Sequence, residues 1–69
     1  MEGLTIGRNV HYVAEAGHQA ALVAYVWDTN SGIINLGGFD RNGEPFRATS
    51  VRYDETGVVF NTWHWIERA

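Results

Sequence analysis

Alternation of apolar and polar positions runs through most of this chain, and it predicts strands. Across residues 5–14, Ile6, Arg8, Val10, Tyr12 and Ala14 share one side of an extended backbone, while Gly7, Asn9, His11 and Val13 share the other. Residues 15–18, Glu-Ala-Gly-His, have the polarity and the glycine expected of a hairpin turn. A second strand is expected over 19–28. Its centre, Ala20 to Trp27, is apolar without interruption, which predicts that both faces are covered. Simple alternation sends Leu22, Ala24 and Val26 one way and Ala21, Val23, Tyr25 and Trp27 the other. The alanines also permit a helix here. The β-formers Val23, Tyr25, Val26 and Trp27, bounded by Gly17 and by Thr29-Asn30-Ser31-Gly32, favour the strand.

A third strand is expected over 33–39, with a bulge or bend at Gly37-Gly38. Asp40-Arg41-Asn42-Gly43 reads as a hairpin turn whose Asn-Gly pair suits positive φ. A fourth strand follows over 45–51, then a loop over 53–57, then a fifth strand over 58–66. Five short strands with tight turns predict one all-β domain over residues 1–69, a small SH3-like or OB-like barrel or a strongly curled antiparallel sheet. The alternative is an α+β domain with residues 19–27 helical.

Size changes the picture. A chain of 69 residues buries only roughly 60% of the surface its unfolded form exposes. Domains this small usually add disulfides, a metal or a partner subunit. There are no cysteines, so disulfides and thiolate metal sites are excluded. Nine aromatic side chains, three each of Trp, Tyr and Phe, supply large buried areas. The doubly apolar second strand and the apolar last one predict a homo-oligomer, most simply a dimer.

Charge narrows the partners. The net charge is −3, with five arginines and no lysine, which argues against binding duplex nucleic acid. No basic start followed by an apolar run marks a leader, and the longest apolar run, eight residues from Ala20 to Trp27, is too short to span a bilayer. A soluble, cytoplasmic protein is expected.

Candidate chemistry is sparse. In Trp63-His64-Trp65, alternation puts both indoles on one face, as core or as a stacking platform, and the imidazole outside. Arg47 and Arg52 with Tyr53 could pair guanidinium forks with a stacking ring around a small anionic ligand. His11, His18 and His64 show no i, i+2 or i, i+4 pairing, so their spacing predicts no metal site. Asp54-Glu55 is ordinary turn chemistry, and Leu36-Gly37-Gly38 precedes no helix, so it is not a phosphate loop. No cofactor is expected and no catalytic set is visible. The residues expected to bind a ligand are Arg47, Arg52, Tyr53, Trp63 and Trp65.

The run Gly7-Arg8-Asn9-Val10-His11-Tyr12, then Ala20-Ala21 to Val26-Trp27, Asn35-Leu36, Ser50-Val51 and Thr62-Trp63-His64-Trp65 resembles a family of small phage- and prophage-encoded proteins. Their pattern reads G-x-x-V-H-Y, A-A-x-V-x-x-V-W, N-L and T-W-H-W. The chain departs from it with Ile66 in place of a proline and with a shortened middle hairpin at Asp40-Arg41-Asn42-Gly43. The resemblance transfers no catalytic residue. It implies a non-enzymatic accessory protein that modulates host processes by binding a host protein or sequestering a small nucleotide-like ligand. The alternative is a virion structural or assembly component.

Overall fold

The computed structural model describes residues 1–66. It is all-β: β1 (Asn9–Ala14), β2 (Gly17–Asp28), β3 (Ile33–Phe39), β4 (Pro45–Tyr53) and β5 (Thr62–His64) close in that order into a barrel. Each of the first three neighbouring pairs is antiparallel. The ring closes where β5 lies antiparallel to β1 and parallel to β4. Residues 19–27 are strand, and the helical alternative falls away because both neighbours of β2 satisfy its backbone. The 5–8 segment expected as strand is instead a turn that feeds β1, with Gly7 N–H donating to the Val23 carbonyl at 2.7 Å.

The core holds Leu4, Val10, Ala21, Val23, Ile34, Leu36, Val51 and Trp63. Trp63 is its pin. Its indole N–H donates to the buried carbonyl of Gly32 at 2.6 Å, and its ring lies against Tyr53 and Trp65 at 4.9 and 5.0 Å.

Two expectations about β2 are corrected. Strict alternation fails because the β2–β3 register slips between Val23 and Tyr25 and again between Val26 and Asp28. Each bulge re-aims the side chains that follow it. Val26 therefore packs on the core, while Leu22, Tyr25 and Trp27 are 48%, 47% and 60% exposed. The outer face of β2 is apolar yet uncovered within the chain. Asn35 ties these irregularities together: its side-chain oxygen accepts from Trp27 Nε1 at 2.8 Å and from the Ser50 N–H at 2.9 Å. Ser50, at φ 53, marks the matching slip between β3 and β4.

The last strand is also shorter than its apolar run implies. Val58, Val59 and Phe60 are exposed and precede β5 in a turn, and Asn61 at φ 65 leads into the strand. Among the described residues no helix is long and apolar enough to cross a membrane.

Candidate functional site

Two features of the surface stand out, and they lie on different parts of the barrel wall. The first is built by β1, β2 and β5. Val10, Ala21 and Trp63 belong to the core, so alternation turns His11, His18 and His64 to the outer side of the sheet. His11 and His64 are direct cross-strand partners. His18 sits across the β1–β2 hairpin opposite Val13, which in turn faces Thr62. The three rings meet edge to face, with centroids 5.9 Å apart for His11–His18, 5.5 Å for His11–His64 and 4.7 Å for His18–His64. One ring nitrogen from each lies within 4.8 Å of the other two.

The 54–61 loop folds over this cluster. Asp54 starts it with an Asx-type turn: its carboxylate accepts from the Thr56 hydroxyl at 2.7 Å. That hydrogen bond holds the Asp54 carboxyl below its ordinary range, with His64 adding a smaller electrostatic pull in the same direction. Gly57, at φ +71, carries the loop down against the rings. A Cβ there would stand 3.3 Å from His64 Cε1 and 3.4 Å from His18 Cε1. The Gly57 carbonyl lies 3.0 Å from His18 Nε2. A carbonyl oxygen only accepts, so Nε2 is the donor, and in the neutral ring this leaves Nδ1 as the lone-pair nitrogen. His64 lies on the outer side of the sheet, opposite the Trp63 indole, and is nevertheless only 4% exposed because the loop covers it there.

The second feature is an open groove of about 680 Å³ on the outer face of β2 and β3. Gly37 and Gly38 floor it, and Ile6, Leu22, Phe39 and Pro45 form its walls. No charged side chain is among its lining residues. Tyr25 and Trp27 extend the apolar surface along β2, ring against ring at 4.8 Å. At the end of that strand the Ser31 hydroxyl, with the Asn30 N–H, holds the Asp28 carboxyl below its ordinary range.

The residues expected to bind a ligand are spread apart. Arg47 and Arg52 are both exposed on β4. Tyr53 turns inward onto Trp63 instead of standing beside them. Trp63 is fully buried and offers no face to a ligand. Trp65 is half-buried, with the Arg8 guanidinium over its ring at 5.2 Å. The histidine cluster was missed because its members are 7, 46 and 53 positions apart, and only the β1–β5 pairing joins them. The groove had one signal in the sequence, the unbroken apolar run of β2.

No protein-family model, no curated protein and no solved structure matches this chain.

Proposed function

We propose that the chain is a non-enzymatic binding module of the phage accessory kind, working as a homodimer through the outer face of β2 and β3. The apolar groove on that face is the observation that supports this reading. An antiparallel sheet facing water alternates apolar-in with polar-out. Here Ala20, Leu22, Ala24, Tyr25 and Trp27 all lie outward, and all are apolar or aromatic. The lining carries no cation, so the groove favours apolar protein surface over a phosphate-bearing ligand.

A second copy fits this face because the face contains its own complement. The furrow floored by Gly37 and Gly38 lies beside a ridge made by Phe39, 56% exposed, and the apolar face runs on along β2 to Trp27, 60% exposed. A two-fold axis beside the furrow lets each copy seat a ridge in the other's furrow. Such a dimer also adds the buried area that a 69-residue chain without disulfides lacks. In this reading the dimer acts by occupying a host protein.

Sedimentation equilibrium at micromolar concentration tests the dimer. The expected mass is twice the 7.7 kDa of one chain. Leu22→Glu or Phe39→Glu should weaken association at least about 100-fold, since a carboxylate taken into apolar contact costs several kcal/mol. Both variants should keep the wild-type sheet spectrum, because both side chains face outward. A wild-type species that stays at monomer mass on concentration refutes the dimer. A Leu22→Glu protein that remains dimeric refutes the face.

A further inference from the structure

We propose that His11, His18 and His64 form a binding site for a divalent late first-row transition metal ion, with zinc as the fitting occupant. This goes beyond the binding-module reading and does not depend on it, since the cluster and the groove share no residue.

Convergence is the first argument. Three imidazoles from β1, β2 and β5 bring one nitrogen each to within 4.8 Å of the others. Zinc at about 2.0–2.1 Å from each of three tetrahedral ligands sets the nitrogens roughly 3.3 Å apart. The widest pair therefore has to close by at most ~1.5 Å. His18 is exposed and can swing inward without disturbing the core, while His11 and His64 are already fixed as cross-strand partners.

The surroundings supply what a metal site requires of its second layer. Ligating histidines commonly donate their other N–H to a backbone carbonyl, which fixes tautomer and orientation. His18 Nε2 does this to Gly57 at 3.0 Å and so directs Nδ1 to the metal. Gly57 leaves just enough room beside both rings, and its positive φ lets the loop approach that closely. Both ring nitrogens of His64, and Nδ1 of His11, are shielded from water, which favours a bound ion over a hydrated one.

Donor type selects the metal. Neutral imidazoles without thiolate suit Zn²⁺, Cu²⁺, Ni²⁺ and Co²⁺, whereas Ca²⁺ and Mg²⁺ demand oxygen. Three protein ligands leave the fourth tetrahedral position to water or an added ligand. The ion would clamp the β1–β2 hairpin to β5, supplying the staple that small domains without disulfides commonly use.

The test uses the full chain, stripped with a chelator and titrated with ZnSO₄ by calorimetry, and with CoCl₂ by visible absorbance. One Zn²⁺ per chain is expected, with a melting midpoint raised by roughly 10 °C at zinc about 100 times its Kd. Co²⁺ should give the intense visible bands of a four-coordinate site, and excess Zn²⁺ should bleach them. His18→Ala is the decisive variant because that side chain is exposed and its loss spares the core. Zinc affinity should fall at least about 10-fold and the midpoint shift should shrink accordingly, while the metal-free midpoint stays near that of the parent chain. Histidine ring resonances of the parent chain should report all three residues shifting together on Zn²⁺ addition. No uptake by the parent chain at micromolar zinc overturns the site, as does uptake that His18→Ala leaves unchanged.

Discussion

Trp63→Ala is expected to leave the chain unfolded at 25 °C. Removing a fully buried indole costs about 3–5 kcal/mol through lost transfer energy and the cavity left behind. The Gly32 carbonyl then loses its indole donor in a buried place, which adds about 1–3 kcal/mol. A chain of 69 residues has roughly 3–10 kcal/mol of stability in total, and the combined loss of about 4–8 kcal/mol removes most or all of it. Tyr53 and Trp65, which both lean on the same ring, lose their support as well. Far-ultraviolet circular dichroism would show the loss of sheet. Trp63→Phe, which keeps a ring but not the N–H, should fold with a lowered midpoint. A cooperative melt of Trp63→Ala near the parent temperature would mean that the indole is not the pin of the core.

Gly38→Ala is expected to be clearly destabilising as well, although it adds a single methyl group. A Cβ at Gly38 would collide with the Ala20 carbonyl oxygen and stand 2.8 Å from the Ala21 Cα. Both are backbone atoms of the paired strand, so no side chain can swing aside. The β2–β3 ladder would have to separate locally, and overpacking of this kind costs about 1–3 kcal/mol or more. Gly37→Ala is the matched control. Its Cβ would meet only the Phe46 carbonyl oxygen at 3.6 Å, an ordinary contact, so its effect should stay within about 0.5 kcal/mol. Urea denaturation of the two variants side by side separates the cases. Equal midpoints would show that the close approach at Gly38 is not a constraint.

These two glycines also show how far the sequence could be read. Gly-Gly inside a strand pattern predicts a bulge or bend, but the register runs unbroken through Gly37-Gly38 on both sides, and what Gly38 makes is a close approach to the backbone of β2. The five strands and the hairpin turns that join β1 to β4 were legible because each of those hairpins is local and its turn residues are specific. What local pattern could not supply was position across the ring. The face assignment of β2 failed after Val23 because a bulge inserts one residue without any mark in the apolar run. The residues 58–60 looked like strand because Val-Val-Phe is apolar, yet they run as an exposed turn into β5, and Gly57 before them is the residue that packs on the histidines. The histidine cluster itself depends on β5 meeting β1, a pairing between residues 53 positions apart at His11 and His64. Arg47 was expected on the fourth strand, but β4 runs past the expected end at Val51 to take in Arg52 and Tyr53, and Tyr53 follows the pleat to the opposite side.

The seam of the barrel has a consequence for its motions. β5 joins its neighbours by three residue pairs on one side and two on the other, whereas β1 and β2 share six. Amide hydrogen exchange in such a ring is not uniform: the ladder with the fewest bonds opens first, at a free energy below that of global unfolding. That ladder, between β4 and β5, carries Trp63 on its inner side, so its opening loosens the core there. The His11–His64 pair belongs to the β1–β5 ladder and parts only when that ladder opens, so an ion bridging β1, β2 and β5 would slow amide exchange in β1 and β5 and leave the opening between β4 and β5 in place.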